Sequence, residues 1–408
     1  MLIQLAEDWQ AAHSPRLLNL LRVMQKEQQS KMDSGVRNNL RAARARLGLS
    51  QQVLAASAGV TRQTVGGIEG GLYAPSAAVA LRLAKALACR VEDLFWLEED
   101  LPDLIGVLAG EAPQGRELRV TLAEVGGRWV AHPLHGAAAF RSEMVPCDGL
   151  GILTGPGSEL RVRPLGELQT LRQGVVLAGC TPALSLWARA AERWHPGLRV
   201  HWTFANSTAA LHALGAAEVH GAGVHLADPD CGEDNTAAVA RILPGRDVVL
   251  VNLGVWEEGI LLPPGNPKAL RGAADLARTE IGIVNREIGS GSRRVLDDSL
   301  HVHGVPSGAV RGYDRIAASH QEVAEAVASG GADAGVSSAC VAAAYGLDFL
   351  PVRLARYDMV FLKEYLNHEP VRQLLSTLDH RWVRSQLSVL GGYDTSRTGE
   401  VVAEILNS

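Results

Sequence analysis

Short apolar segments alternate with amphipathic helical segments along residues 174–395, and this alternation limits the possible folds more than any other feature of the sequence. GVVLAGC at 174–180 is typical of a buried strand, and TPALSLWARAAERW at 181–194 is typical of a helix. The same pair recurs as LRVHWTFA at 198–205 and STAALHALGAA at 207–217. Strands that alternate with helices in this way form parallel α/β layers.

The chain of 408 residues is longer than one ordinary core supports, which predicts two or three domains. Apolar residues make up 47% of it and charged residues 20%, as is typical of a globular protein. No apolar run reaches the ~18 residues of a membrane span, and the start MLIQLAEDWQ lacks the basic region of a secretory signal. We therefore expect a cytoplasmic protein without membrane contact, whose five scattered cysteines stay reduced.

The net charge of −5 is unevenly distributed. Residues 36–96 contain eight basic and three acidic residues, a net charge of +5, so the remaining residues carry −10. A small basic module attached to an acidic body is the pattern expected when one part of a chain contacts nucleic acid.

Residues 36–98 are predicted to form a compact helical unit. Gly48 and Gly59 end two short helices, Ser50 and Thr61 cap the next ones, and RVEDLFWL at 90–97 is expected to be a further short helix. Two helices joined by such a tight turn are typical of helix-turn-helix proteins, whose second helix places its first residues on base edges. The predicted DNA contacts are Gln51 and Gln52 to phosphates and Thr61, Arg62, Gln63 and Thr64 to bases.

The stretch from LRAARARLGLSQQVLAASAGVTRQTVGG to KALACRVEDLF, residues 40–95, resembles the XRE (Cro/repressor-type) helix-turn-helix domain. The S-Q-x-x-L-A start, the G-V-T-x-x-x-V turn and the I-E-x-G-x-x-x-P exit carry the resemblance. It implies a five-helix bundle that binds operator DNA as a dimer. The alternative is a helical bundle that contacts only protein.

Gly66 and Gly67 depart from that family, which usually has side chains at these positions. Each glycine inside a helix costs roughly 1 kcal/mol relative to alanine. Three explanations stay open: close approach of the backbone to phosphate, a deliberately modest DNA affinity, or simple tolerance of glycine.

Two further segments flank the helical unit. Residues 1–35 are expected to be an N-terminal helical extension, to which we assign no function. In residues 99–173, apolar and polar residues alternate on both sides of Gly126-Gly127, which predicts a hairpin within a small β-rich connector. Residues 174–408 form the α/β body.

Several turns of the body are rich in Gly, Ser and Thr and expose backbone amides at helix N-termini, an arrangement that binds anions. They are AGCT at 178–181, ANSTAAL at 205–211 and NREIGSGSRR at 285–294. Arginines on both sides of the last turn add positive charge.

The segments LPPGNPKALRGAADLARTEIGIVNREIGSGSRRVLDDSL, HLADPDCGEDN and LGGYDTSRTGEVV resemble the periplasmic-binding-protein-like domain found fused to bacterial helix-turn-helix proteins and to molybdopterin-biosynthesis enzymes. The resemblance covers roughly residues 174–402. It implies two α/β lobes joined by strands that cross near 248–260 and 350–362, with a ligand in the cleft between the lobes. The predicted fold class is therefore multidomain: an all-α helix-turn-helix bundle, a small β connector, and a two-lobed α/β periplasmic-binding-protein-like domain of type II.

Relatives outside this group bind molybdate or tungstate through hydroxyls and backbone amides, and the resemblance implies a similar ligand here. Carried over to this chain, the resemblance gives as cleft residues Cys180, Thr181, Ser207, Thr208, Arg286, Ser290, Ser292 and Arg293. His320 either closes on the ligand or is a partly exposed histidine at a helix start.

The predicted function is a ligand-responsive transcriptional regulator. Its expected partners are double-stranded operator DNA, a second copy of the chain, and a small anion such as molybdate, tungstate or a pterin cofactor. No resident cofactor or metal is expected, and HVH at 301–303 is a weak metal candidate. Because G-x-S-x-G, G-x-x-x-x-G-K-[ST] and H-E-x-x-H are missing, we do not expect an enzyme. Two alternatives stay open: a constitutive DNA-binding protein with a non-functional cleft, and an enzyme or cofactor-handling protein of molybdenum cofactor metabolism.

Overall fold

The computed structural model describes residues 36–97, 103–111, 117–140, 144–155, 158–226 and 235–406. Contacts between residues divide the chain into two compact units, Met1–Asp100 and Leu101–Ser408. The helical extension predicted for 1–35 lies outside the described residues. No helix within the described ranges is both long and apolar enough to cross a bilayer.

The first unit is a helical bundle whose two ends are joined by a small sheet. Its helices are α1 (Leu40–Arg46), α2 (Gln51–Ala58), α3 (Arg62–Glu69) and α4 (Ala77–Ala86). Strand β1 (Val36–Asn38) pairs antiparallel with β2 (Phe95–Leu97). The prediction of a further helix at 90–97 is wrong, because the backbone of its last three residues pairs with β1 and buries Phe95.

Polar caps and an apolar core define the helix-turn-helix. The hydroxyls of Ser50, Thr61 and Ser76 accept hydrogen bonds from the N–H groups three residues further on, at 3.2, 3.0 and 3.4 Å. Such caps satisfy amides that have no partner inside the helix. The core of the unit is formed by buried residues from all four helices, among them Leu40, Leu54, Val65, Ile68 and Leu83.

A buried carboxylate fixes the relative positions of α1, α2 and α3. Glu69 accepts hydrogen bonds from Arg44 Nε at 2.6 Å and from Gln51 Nε2 at 2.8 Å. Burial by itself would raise the pKa of Glu69, but these two hydrogen bonds hold it below its usual value. The carboxylate therefore stays charged while it joins the three helices.

The two glycines of α3 have different surroundings. A Cβ on Gly66 would meet only the Gln51 side chain, at 3.8 Å. A Cβ on Gly67 would lie 2.5 Å from the Tyr73 ring, whose hydroxyl donates to Thr64 O at 3.3 Å. Gly67 therefore makes room for Tyr73, and its buried backbone is covered by that ring rather than open to a phosphate.

Alanine at these two positions is expected to act differently. Gly66→Ala should raise the local free energy of unfolding by about 0.5–1 kcal/mol through helix propensity. Gly67→Ala should gain little, because its Cβ displaces the Tyr73 ring. Hydrogen–deuterium exchange of the α3 amides in the full chain measures both effects. In a Tyr73→Ala background, Gly67→Ala should stabilise α3 as much as Gly66→Ala does. An equal gain with Tyr73 present would contradict the packing explanation.

The second unit begins with a small closed barrel. Its strands are β3 (Leu104–Leu108), β4 (Leu118–Val125), β5 (Arg128–Pro133), β6 (Gly149–Leu153) and β7 (Glu159–Pro164), in the order β3-β5-β4-β6-β7. Gly126 and Gly127 have φ values of 57° and 74° and turn β4 into β5, which confirms the predicted hairpin. The sequence predicted only a small β-rich connector, whereas the five strands close into a barrel. The interior of the barrel buries Val120, Leu122 and Leu160.

The barrel is followed by the short helix α5 (Leu168–Leu171) and a ten-stranded mixed sheet. The strands run in the order β13-β12-β14-β11-β15-β10-β8-β9, and β16 and β17 pair with β11. Their bounds are β8 (Gly174–Gly179), β9 (Arg199–Phe204), β10 (Gly221–Val224), β11 (Val248–Leu262), β12 (Ile283–Arg286), β13 (Ile316–Ala317), β14 (Ala334–Ser338), β15 (Asp348–Leu362), β16 (Tyr393–Asp394) and β17 (Val401–Ile405).

Two long strands, β11 and β15, each of 15 residues, run through both halves of the sheet. The first lobe contains β8, β9 and β10 with α6 (Ala183–Trp194), α7 (Ser207–Gly215), α8 (Asn235–Ile242), α12 (Glu369–Ser376) and α13 (Arg381–Ser388). The second lobe contains β12, β13 and β14 with α9 (Gly291–Val302), α10 (His320–Ala328) and α11 (Ala339–Tyr345). The predicted two lobes and their crossing strands are confirmed.

Buried histidines join the barrel to the first lobe. His220 Nδ1 accepts from Val176 N–H at 3.0 Å, and its Nε2 donates to Glu124 O at 3.1 Å. His132 Nε2 lies 2.9 Å from Glu218 O. Burial lowers the pKa of His220 to about 3 and the pKa of His132 to about 4. Both rings are therefore neutral at pH 7.

This junction should make the second unit sensitive to acid. Because both pKa values lie below the unfolded value of about 6.5, the unfolded chain binds more protons as the pH falls below that value. The contribution of these histidines to the free energy of unfolding is complete above pH ~6.5. It is lost toward pH 3–4, at up to about 1.4 kcal/mol per pH unit for each histidine. Urea denaturation between pH 7 and pH 5 measures the slope.

The substitution His220→Asn should reduce this pH dependence, since it removes one of the buried histidines whose pKa is lowered in the folded state. His303→Asn, at an exposed position, is the control and should leave the slope unchanged. A slope that is the same in wild type and His220→Asn would show that His220 does not titrate on unfolding.

Candidate functional sites in the cleft and the helical unit

A buried polar cluster lies where the two lobes meet. Cys180 follows β8, and His225 follows β10, at the carboxyl ends of neighbouring parallel strands in the first lobe. Ligands of open α/β sheets bind at such strand ends. Glu258 lies on β11 beside β14, and Ser292 and His320 begin α9 and α10 of the second lobe. We call these five residues the cleft cluster; each is at most 3% exposed.

The cleft cluster is connected by short contacts. Cys180 Sγ lies 3.2 Å from His225 Nε2. On the other side of the ring, His225 Nδ1 lies 3.2 Å from Glu258 Oε1, an ion-pair contact without the alignment of a hydrogen bond. Ser292 Oγ donates to Glu258 Oε1 at 2.9 Å. His320 Nδ1 lies 2.9 Å from Ser337 Oγ.

The two histidines of the cleft cluster have opposite charge states. Burial by itself would lower the pKa of His225, but the neighbouring Cys180 and Glu258 raise it to about 10. For His320, burial and the positive charges of Arg286 and His225 hold the pKa well below its usual value. The cluster therefore pairs a cationic and a neutral imidazole.

Glu258 is ionised although it is fully buried. Its burial alone would raise the pKa, but the charges of His225 and Arg353 and the hydroxyl of Ser292 hold it below its usual value. Arg353 Nη2 lies 3.4 Å from Glu258 Oε2. The Glu258 carboxylate thus contacts groups of both lobes, His225 of the first and Ser292 of the second.

The lobes are closed onto each other. Thr208 Oγ1 donates to Gly289 O at 3.1 Å, and Asn206 Nδ2 donates to Ile288 O at 3.4 Å. A Cβ on Gly291 would lie 2.3 Å from both Nδ1 and O of His225. Glycine at this position therefore allows the start of α9 to rest directly on His225.

The structure brings several predicted cleft residues to this junction. Ser207 Oγ accepts from His225 N–H at 3.1 Å, and Thr208 contacts the second lobe as described. Thr181 Oγ1 lies 2.8 Å from Tyr393 Oη. Ser290 is used locally, because its hydroxyl caps α9 by accepting from Arg293 N–H.

The two predicted arginines are already engaged by other groups. Arg286 is 1% exposed, and its guanidinium forms two hydrogen bonds with Glu287, at 2.8 and 2.9 Å. Arg293 donates to Arg286 O, and its guanidinium lies 4.7 Å from the centre of the Tyr313 ring. The charge of Arg293 is therefore directed at residues of the second lobe rather than at the cleft cluster.

The alternative of a partly exposed His320 is wrong, because His320 is 1% exposed. Sequence reasoning also missed His225 and Glu258. The signal for His225 was its place directly after a short buried strand. The signal for Glu258 was its place in a pair of carboxylates inside the largely apolar segment VVLVNLGVWEEGILL. Trp256 lies on the same strand, 5.0 Å from His225 between ring centres.

Among the polar atoms at the cleft cluster that are buried without a hydrogen-bond partner are His320 Nε2 and Trp256 Nε1. Buried polar atoms are nearly always paired in folded proteins, and each exception calls for an explanation, such as a bound water or ion. The two atoms belong to rings whose centres are 5.5 Å apart. They mark one small region of the cleft.

In the helical unit, the predicted base-reading residues lie at the start of α3. Thr61, Arg62 and Gln63 are exposed, and Thr64 is half-buried with its N–H bonded to Thr61. Of the two predicted phosphate contacts, Gln52 is exposed at the start of α2, whereas Gln51 already donates to Glu69. Of the six residues predicted to contact DNA, only Gln51 takes part in the Glu69 network that joins α1, α2 and α3.

Comparisons with known proteins find relatives of both units. A helix-turn-helix family model matches residues 40–94, and a PBP superfamily domain matches residues 188–379. The uncharacterized HTH-type transcriptional regulator YgzD of Bacillus subtilis is 49% identical over 65 residues, which are 16% of this chain and 98% of that protein.

Relatives of the second unit are also found. The uncharacterized protein YvgK of Bacillus subtilis is 38% identical over 181 residues, 44% of this chain, and the chain spans only 58% of that relative. A crystal structure of a putative phosphate ABC transporter substrate-binding protein with bound phosphate from Clostridium perfringens aligns with a TM-score of 0.40 and 12% identity over 54% of this chain and 98% of that one. The chain therefore belongs to the XRE-type helix-turn-helix regulators and carries a C-terminal domain of the PBP superfamily.

Proposed function

We propose that the protein is a ligand-responsive transcriptional regulator that acts in the cytoplasm as a homodimer. Helix α3 reads operator DNA, and the cleft of the second unit binds a small anion: molybdate, tungstate or a pterin cofactor. The observation that carries the proposal is the cleft cluster, which contains buried polar groups from both lobes and includes buried polar atoms without hydrogen-bond partners.

The charge of the cleft supports an anion. Helices α7 and α9 both direct their N-terminal ends to the junction of the lobes, and helix N-termini favour negative charge. The buried negative charge of Glu258 is balanced by the positive charges of His225 and Arg353 and therefore does not oppose an anion. The buried hydroxyls of Thr181 and Ser207 provide hydrogen-bonding groups of the type that the sequence resemblance implies for an oxyanion.

Regulation would follow from closure of the lobes. A ligand shifts the balance between open and closed forms only as far as its affinity differs between them. A coupling of 1–3 kcal/mol between cleft and DNA changes operator affinity by 5–150-fold. In a dimer, small rotations of the two helical units are sufficient to change operator affinity, because the two recognition helices must match half-sites about 34 Å apart.

Operator affinity should depend on the anion. A duplex selected from a random pool by the full-length protein is titrated with and without saturating molybdate, tungstate or pterin, and we expect a 5–150-fold change with one of them. Gly291→Ala should abolish the change, because its Cβ keeps α9 away from His225, while DNA affinity without ligand stays as in wild type. If the affinity for the duplex is the same without ligand and with each of the three anions, ligand control is contradicted.

The base contacts can be tested separately. Gln63→Ala should weaken binding to the selected duplex by about 1–3 kcal/mol and relax the preference at one base pair, as expected for a lost bidentate contact to adenine. Gln52→Ala should weaken binding to all sequences alike, as a phosphate contact does. Arg90→Ala, at an exposed arginine outside α2 and α3, is the control for a surface substitution that removes no predicted base or phosphate contact. Binding of Gln63→Ala with unchanged affinity and preference would exclude the proposed readout.

A further inference from the structure

Three side chains of the cleft cluster have the donor atoms of a metal site. Cys180, His225 and His320 each offer one ligand atom, and all three atoms lie within 4.8 Å of one another. Each of the three residues is at most 3% exposed. The set combines one thiol and two imidazoles, which is the donor chemistry of zinc sites.

The orientation of the two rings supports a metal more directly. Histidines that bind a metal through one nitrogen almost always donate the N–H of the other to an oxygen acceptor, typically a carboxylate, a backbone carbonyl or a water. His225 Nδ1 lies 3.2 Å from Glu258, and His320 Nδ1 lies 2.9 Å from Ser337 Oγ. The Nε2 atoms are the ones left for binding: that of His225 faces Cys180 Sγ, and that of His320 has no partner.

We propose that Cys180, His225 and His320 bind a Zn²⁺ ion in the cleft, with the fourth coordination position open to an anionic ligand or water. This proposal rests on the proposed function, since it names the group that holds the anion in the same cleft. The ion displaces the protons that the Sγ and Nε2 atoms carry, and these protons pass to solvent when the metal binds.

The spacing fits with small movements. Bond lengths of about 2.3 Å to sulfur and 2.0–2.1 Å to nitrogen place tetrahedral ligands about 3.3–3.6 Å apart. The Sγ–Nε2 distance of Cys180 and His225 is 3.2 Å, so these two atoms must separate only slightly. His320 approaches from the second lobe, and the ion would therefore tie the two lobes together in the closed form.

A thiol next to an imidazole and a carboxylate also has the connectivity of a nucleophilic site. That arrangement gives no role to His320, whose buried Nε2 would remain without a partner. A metal ion uses all three residues and also pairs this nitrogen. The metal site is therefore the better account of the whole cluster.

The test is metal binding by the full-length protein. Protein stripped with a chelator under reducing conditions is titrated with Zn²⁺ against a competing chromophoric chelator, and Co²⁺ is used as a spectroscopic substitute. We expect one ion per chain and a thiolate-to-cobalt charge-transfer band. Cys180→Ser should remove the band, and His320→Asn, which can keep the bond to Ser337, should weaken Zn²⁺ binding at least 100-fold. Ser337→Ala should weaken it about 10–100-fold, as expected for a supporting partner.

Controls exclude other sites. Cys147→Ser changes a half-buried thiol of the barrel, and His301→Asn changes the exposed HVH motif; both should bind Zn²⁺ as wild type does. Circular dichroism confirms that each variant is folded. Alkylation of Cys180 by iodoacetamide should be blocked by Zn²⁺. The proposal is overturned if wild type binds no Zn²⁺, if Cys180→Ser and His320→Asn bind it unchanged, or if His301→Asn abolishes binding.

The result also separates this proposal from the proposed function. Zn²⁺ binding with operator affinity that no anion changes would support the metal site and contradict ligand control of DNA binding. Anion control of operator affinity in protein that binds no Zn²⁺ would overturn the metal site and leave the regulator intact.

Discussion

The cleft depends on one buried charge, the carboxylate of Glu258. An ion removed from water is stable only when nearby groups compensate it, and removing one partner of a buried pair costs several kcal/mol. Here the compensating groups come from different parts of the fold: His225 from the first lobe, Ser292 from the second, and Arg353 from β15. All three reach Glu258 with the lobes closed. The same carboxylate therefore orients His225 and favours closure.

The helical unit was the part best predicted from sequence, because its signals are local. Caps at Ser50 and Thr61 and the left-handed glycine at the end of α2 are set by neighbouring residues, and all appear as expected. The pairing of β1 with β2 was missed because it joins the two ends of the unit, which no local pattern shows. The reason for Gly67 was missed likewise, since the Tyr73 ring that covers it belongs to the following turn.

The cleft was predicted in outline and missed at its centre. The alternation of strands and helices, together with the family resemblance, predicted two lobes, two crossing strands and most of the turns that lie at the junction of the lobes. They did not give His225 and Glu258, because a single polar residue in or after an apolar strand has no spacing that distinguishes it. The resemblance assigns Arg293 to the cleft, but in the structure its guanidinium lies against the ring of Tyr313. Whether a side chain faces the cleft is decided by tertiary packing.

The second lobe is, in topology, an insertion into a hairpin: β11 enters it, β15 leaves it, and the two strands stay paired along almost their whole length. Separating the lobes therefore requires bending of this ribbon, not rupture of its ladder, and its register already shifts at Asn252/Gly254 and at Glu258/Gly259. The free-energy difference between the open and closed positions of the lobes is then set by a small number of contacts, of which the neutral hydrogen bonds contribute about 1 kcal/mol each. A ligand of only a few atoms has enough binding energy to decide such a balance.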